Sequence, residues 1–443
     1  ITHDGDARLN DTGLAPRRAA LGILTAVRKG VPFDTALERG LGALPEMDRR
    51  LAHELAAGVL RREASLDADL LPFIPRGPAS VQPVVRDVLR LGTYQLRHLE
   101  RVPAHAAVAT SVALAREAMN ERVTGFVNAV LRKVSGLGRE AAVPPPGEDD
   151  ADRLARAWSH PLWLVARWLR FFGVEDTERL LEWNNTRPAL VVQPARASLG
   201  DLERRFAEAG VGAFAAPHEA GLVVDTARPE ALPGYAEGAF FVQDPAQALV
   251  VRFAGFPAGA VVVDACAAPG GKSLAMGRTA RTVVCADASR RRIQRLRENL
   301  ARAGSGVEHV ILADALEPPV REVDAYLLDA PCLGTGTFAR HPDARLRVER
   351  EALVRLAEEQ RRLLDAAADR VRPGGVLCYA TCSLEPEEDE VQVDDFLARH
   401  PDYRRMPPED FPGELLSEAG DLLILPQRDG MDGAYAARLV REE

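Results

Sequence analysis

A chain of 443 residues is too long for one small core, and length alone predicts two to three domains; 47% hydrophobic and 27% charged residues are the balance of a folded protein. No apolar run reaches the ~18 residues that cross a bilayer and no secretory leader is visible, so no membrane partner is expected and the cytoplasm is the expected compartment. Five cysteines, odd in number and without CxxC or zinc-ligand spacing, argue against disulfides and a metal site, and the net charge of −9 offers no general attraction to nucleic acid.

Taken in chain order, residues 1–14 are polar and read as a flexible tail. Residues 15–140 carry apolar positions at helical spacing throughout, for example Ala20, Ile23, Leu24 and Val27, or Phe126, Val127, Val130 and Leu131. The pattern predicts an all-α domain. That stretch holds 19 Arg plus Lys against 13 Asp plus Glu, a net of +6, so the rest of the chain sums to −15 and one region is basic enough to suit RNA. The segment AAVPPPGEDDAD (141–152) reads as a solvated linker, and 153–240 as a small α+β module with short strands around a helix at 199–209.

From 241 to 443 apolar runs suited to buried strands (260–265, 282–287, 307–314, 323–330 and 375–381) alternate with helical segments, notably 273–279, 289–303 and 351–371. Such alternation predicts a parallel, doubly wound sheet, with DLLILP and GAYAARLV as a closing antiparallel pair.

The loop after the first of these strands, Cys266, Ala267, Ala268, Pro269, Gly270, Gly271 and Lys272, is built of small residues that let a ligand approach backbone N–H groups at a helix start. A Walker A loop would need glycine where Cys266 stands, and the G-x-G-x-x-G fingerprint of dinucleotide sites is missing. An S-adenosylmethionine loop remains, supported by acids at the ends of the next three strands: Asp287, suited to ribose hydroxyls, Asp314, expected beside adenine, and Asp329. Asp also caps turns for ordinary reasons, so the case rests on three in succession. Lysine occurs only at 29, 133 and 272 in this arginine-rich chain, which makes Lys272 a candidate for chemistry that wants a compact cation.

Cys332 and Cys382 each lie just past a strand end, and a sheet of order 3-2-1-4-5 puts those ends beside the cofactor loop. Cys266, Cys285 and Cys378 read as small buried hydrophobes. A thiolate is wanted where a poor carbon nucleophile such as carbon 5 of cytosine must take a methyl group, because attack at carbon 6 makes carbon 5 enamine-like. A helix beginning soon after Cys382, in the EPEEDE stretch, would favour its ionised form. Asp329 is suited to the cytosine edge.

The motifs CAAPGGK (266–272), LLDAPC (327–332), RHPD (340–343) and YATCS (379–383), with RVPAHAAVATSV and GFVNAVLRKV nearer the front, resemble the bacterial RsmB (Sun, Fmu) family of 16S rRNA cytosine-5 methyltransferases. The resemblance implies a NusB-like RNA-binding domain, a connecting module and a Rossmann-like class I methyltransferase domain with a mostly parallel seven-stranded sheet. It implies S-adenosylmethionine as cofactor, 16S rRNA as partner, either free or in an assembly intermediate, and a monomer. By position, Cys382 matches the nucleophile, Cys332 the residue assisting proton removal or release, and the 266–272 loop with Asp287, Asp314 and Asp329 the cofactor site. The chain departs from the family in reading ARLRVER after RHPD and DGAYAARL near the end. A tRNA cytosine-5 methyltransferase, or a non-catalytic RNA-binding assembly factor with a vestigial cofactor fold, are the alternatives.

Overall fold

A computed structural model describes residues 13–138, 149–226 and 228–443. Most of the expected tail, and residues 141–148 of the expected linker, lie outside the described residues. The chain divides into two compact units, one formed by residues up to Thr186 together with Phe338–Arg347, the other by Arg187–Thr337 and Val348–Glu443. The expected module of 153–240 spans this division. Its helices up to Asn184 belong to the first unit, and its strands, with the helix at Leu199–Glu208, to the second. Among the described residues no helix is long and apolar enough to cross a membrane.

The first unit is helical: α1 (Ala15–Arg28), α2 (Phe33–Leu41), α3 (Glu46–Arg61), α4 (Glu63–Leu70), α5 (Pro83–His98), α6 (Ala104–Ala118), α7 (Thr124–Val134), α8 (Asp150–Trp158) and α9 (Leu162–Asn184). On α1, Ala20, Ile23, Leu24 and Val27 are buried, the face their spacing predicts. Close packing is bought by glycine: a Cβ on Gly58 of α3 would lie 2.0 Å from the Tyr94 ring on α5, so only glycine admits that ring. The buried Arg90 guanidinium takes both oxygens of Asp67 (2.8 and 2.6 Å) and Asp87 (3.1 Å), which satisfies a charge that burial alone would not tolerate.

The ten residues Phe338–Arg347 complete this unit. Phe338 is fully buried against His160 and Trp168, with ring centroids 6.2 and 6.3 Å away. Arg345 is buried too, donating to Asn184 O (2.6 Å), Asn185 Oδ1 (2.6 Å) and Arg61 O (3.3 Å). Asp343 accepts the Phe33 N–H (3.1 Å) and Arg347 Nη1 (2.5 Å). Phe338→Ala is expected to destabilise this unit by about 3–5 kcal/mol, since the ring leaves a hole between two aromatic neighbours that cannot close on it. A urea titration followed by tryptophan fluorescence checks this through Trp168; an unchanged midpoint would show that the segment does not stabilise the unit.

The second unit opens with a small antiparallel sheet of β1 (Leu190–Pro194), β2 (Ala213–Ala215), β3 (Leu222–Val224) and β4 (Phe240–Val242), in the order β2-β3-β1-β4. Helix α10 (Leu199–Glu208) buries Leu202 and Phe206 in the same core as Val192, Leu222 and Phe240. Helix α11 (Pro245–Ala254), N-capped by Asp244, leads on to the larger sheet.

That sheet contains β5 (Val261–Asp264), β6 (Thr282–Asp287), β7 (Glu308–Leu312), β8 (Val323–Asp329), β9 (Val371–Thr381), β10 (Tyr403–Arg405), β11 (Leu422–Ile424) and β12 (Ala434–Arg441). Seven strands follow the order β10-β12-β9-β8-β5-β6-β7, and the short β11 pairs with β12 beside them. Strands β5 to β9 run parallel; β12 closes antiparallel on β9. The expected closing pair therefore forms, with Leu423 opposite Tyr435. Helices α12 (Gly271–Met276), α13 (Arg290–Ala303), α14 (Arg350–Ala368), α15 (Glu390–Arg399) and α16 (Pro426–Asp429) complete the unit. Central strands are apolar on both sides: Tyr326, Leu327, Leu328, Leu377, Cys378 and Tyr379 are all fully buried. The all-α front, the small α+β module and the doubly wound methyltransferase-type sheet are thus the architectures expected from the sequence.

Candidate active site

Every parallel strand of the larger sheet delivers its carboxyl end to the same edge, and the register fixes which residues arrive together. Asp264 lies opposite Leu327 and Cys285, Asp287 opposite Leu312, and Asp329 opposite Ala380. Asp264 is buried, and its Oδ2 accepts from Ser273 Oγ (2.6 Å) across the loop it starts. Burial, more than that bond, decides its ionisation and pushes its pKa up to about 7.

Between them runs the 266–272 loop. Ala267 N donates to Ala286 O (2.9 Å) and Asn299 Nδ2 to Pro269 O (2.8 Å), which ties the loop to β6 and α13. Gly270 sits at φ +107, and a Cβ there would meet Leu296 Cδ1 at 2.8 Å, so conformation and space both demand glycine. Cys266 is an ordinary unreactive thiol, pushed up to about 12 chiefly by burial. Asp287, 1% exposed, accepts from Ser289 N (2.8 Å) and Arg292 Nε (3.1 Å) through Oδ1, while its Oδ2 is buried with no hydrogen-bond partner. Asp314, in contrast, is exposed, and its Oδ1 accepts from Leu316 N (2.9 Å) as a turn-closing aspartate does.

Lys272 turns from the loop toward β8. Its buried ammonium donates to Asp329 Oδ2 (2.7 Å) and to Gln247 on α11, a contact the sequence reading did not single out. Burial works against the charge, but Asp329 outweighs it, with Cys382 and Asp264 adding to the effect, and the lysine is held above its ordinary pKa. It is a buried cation fixed to Asp329.

Cys332 and Cys382 face each other with Sγ atoms 3.4 Å apart. Their loops are laced together: Gly336 N donates to Cys382 O (3.0 Å), and Leu384 N to Thr335 Oγ1 (2.8 Å). The Cys332 thiol is raised well above its ordinary pKa, first by its hydrogen bond to Cys382 and then by burial, so Cys332 keeps its proton at neutral pH. The helix expected in the EPEEDE stretch forms, as a 3-10 turn at Pro386–Glu388 and then a regular helix from Glu390, which places the first regular turn eight residues past Cys382 and not at the thiol itself. The geometry therefore brings Lys272, Asp329, Cys332 and Cys382 together, and leaves Asp314 exposed, with one carboxylate oxygen closing its own turn.

Five parallel strands closed by an antiparallel one, with a small-residue loop after the first and functional groups at the carboxyl edge, define a methyltransferase of the Rossmann-like class. Comparison with known proteins narrows this. Residues 257–440 match the family model described as 16S rRNA methyltransferase RsmB/F, residues 14–136 match the NusB family, and residues 160–229 match the ferredoxin-like domain of RsmF/B-like methyltransferases. The chain belongs to the RsmB/F family of 16S rRNA methyltransferases. It is 34% identical to ribosomal RNA small subunit methyltransferase B of Vibrio cholerae over 96% of each chain. It is 33% identical to the protein of that name from Pseudomonas putida, over 96% of this chain and 98% of the relative. The solved structure of PH0851 shares the fold, with a TM-score of 0.79 at 23% identity over 96% of this chain and 98% of that one.

Proposed function

We propose that this chain transfers a methyl group from S-adenosylmethionine to carbon 5 of a cytidine in 16S rRNA, through a transient bond between Cys382 and carbon 6 of the base. The observation that carries the reading is the Cys332–Cys382 pair, 3.4 Å apart, in the unit where the buried Lys272 is bonded to Asp329. Family membership supports the substrate class.

The residues present fit the cofactor. Asp287 keeps one buried carboxylate oxygen without a partner, as a residue waiting for ribose hydroxyls would, and the 266–272 loop with Asp314 and Asp329 supplies the remaining contacts. Bound S-adenosylmethionine supplies an electrophilic methyl on a sulfonium and leaves as the neutral thioether.

Cys382, as thiolate beside the Lys272 ammonium, attacks carbon 6, and the electron pair of the 5,6 double bond becomes available at carbon 5. Asp329 hydrogen-bonds the cytosine edge and steadies the adduct. Once the Cys382 sulfur is tied up in the carbon–sulfur bond, its hydrogen bond with Cys332, the largest cause that held the proton there, is gone. Cys332 can then lose that proton to solvent and accept the one from carbon 5, and elimination restores the double bond and the Cys382 thiolate. The 15–140 helical domain contributes sequence-independent phosphate contacts, with 141–152 as linker, 153–240 as connecting module and 241–443 as catalytic domain. The protein acts in the cytoplasm as a monomer, on free 16S rRNA or an assembly intermediate.

Incubation of the purified protein with tritiated S-adenosylmethionine and separate 16S and transfer RNA transcripts, followed by bisulfite mapping, tests this. A single protected cytosine in 16S rRNA is expected. Methylation confined to transfer RNA, or at an atom other than carbon 5, would overturn the reading.

A further inference from the structure

The backbone on either side of Cys332 is held by two buried side chains outside the motifs. Gln360, on α14, donates from Nε2 to the carbonyl of Pro331 (2.8 Å), the residue before Cys332. The N–H of Leu333, the residue after it, donates to both oxygens of Glu388, at 3.1 and 3.2 Å. Gln360 Nε2 also donates to Glu388 Oε1 (3.0 Å), which closes the two contacts into one clamp.

Glu388 is fixed to the other cysteine loop as well. It lies six residues after Cys382 in the chain, and its own carbonyl accepts Tyr379 OH (2.6 Å) from the end of β9. Both Glu388 and Gln360 are 0% exposed. A carboxylate in such a place is costly: burial raises its pKa to about 7 although Ser383, Leu333 and Gln360 pull it down, and among the described residues no cation is bonded to it. What the residue provides that a hydrophobe could not is a paired acceptor for the peptide next to Cys332.

We propose that Glu388, braced by Gln360, is a positioning residue that holds Cys332 within reach of Cys382 and so governs how quickly the covalent adduct is resolved. The inference rests on the two-cysteine reading above.

Two variants separate the clamp from the charge. Glu388→Gln keeps Oε1, the oxygen that accepts from both Leu333 N and Gln360 Nε2, whereas Glu388→Ala removes it. In Glu388→Ala, kcat is expected to fall roughly tenfold to a hundredfold while KM for S-adenosylmethionine stays within about twofold, and a denaturation-stable protein–RNA adduct should build up; Glu388→Gln should stay within about threefold of wild type. Phenylarsine oxide, which needs two neighbouring thiols, supplies a readout without RNA. Capture should match wild type in Glu388→Gln and weaken about tenfold or more in Glu388→Ala. Wild-type kcat and capture in Glu388→Ala would overturn the proposal, as would a folded Glu388→Gln protein as impaired as the alanine variant. Should Glu388→Ala fail to fold, Gln360→Leu tests the other arm of the clamp, with weaker arsenical capture expected and undiminished capture overturning it. Full activity in Cys382→Ala would instead remove the underlying reading, and the arsenical result would still report on the clamp alone.

Discussion

Cys382→Ala is expected to lose methyl transfer by roughly 10⁴-fold or more, with affinity for S-adenosylmethionine within about twofold of wild type. The thiol is the only atom removed, and the 266–272 loop, Asp287 and the Lys272–Asp329 pair make no bond that depends on it. What disappears is the bond to carbon 6, without which carbon 5 has no enamine character. Isothermal titration with S-adenosylmethionine and a tritium-transfer assay measure the two quantities separately. A Cys382→Ala protein with wild-type turnover would remove the nucleophile assignment outright, and a protein that loses cofactor binding as well would show that the loops had moved.

The second large effect is expected at the partner thiol. Cys332→Ala leaves Cys382 free to attack but removes the group placed to take the carbon 5 proton, so the adduct forms and persists. Turnover should drop by about 10²-fold or more, and a protein–RNA complex that survives denaturing electrophoresis should appear. The two variants together also separate the assignments. Were Pro331-Cys332 the source of the nucleophile, the adduct would appear in Cys382→Ala and be absent from Cys332→Ala.

Much of this arrangement is legible in the amino-acid sequence. Apolar runs that end in Asp264, Asp287 and Asp329 announce buried parallel strands with polar tips, and such strands bring their ends to one edge whatever their loops do. Cys332 and Cys382 could therefore be paired at a distance of 50 residues. Side-chain direction was less accessible. The EPEEDE stretch reads as the solvated start of a helix, because glutamates in a row usually face water; nothing in the letters says that Glu388 turns inward to an N–H on another loop. Asp314 is ambiguous in the other direction, since an acid at a strand end looks the same whether it awaits a ligand or closes its own turn. The attachment of Phe338–Arg347 to the helical unit was invisible for a third reason. Ten residues without a period carry no pattern, and their contacts reach back some 280 positions, as between Arg61 and Ala339.

That late segment has a bearing on how the protein comes to be made. Translation delivers α1 to α9 long before Phe338 and Arg345 emerge, so until they do the space beside His160 and Trp168 is unfilled and the carbonyls of Asn184 and Arg61 lack their guanidinium. Expressed alone, the stretch ending at Thr186 should behave as an unfinished body that tightens when a synthetic 338–347 peptide is supplied. Completion of the helical unit would then be a late event in synthesis, set by the 338–347 stretch and not by the helices themselves.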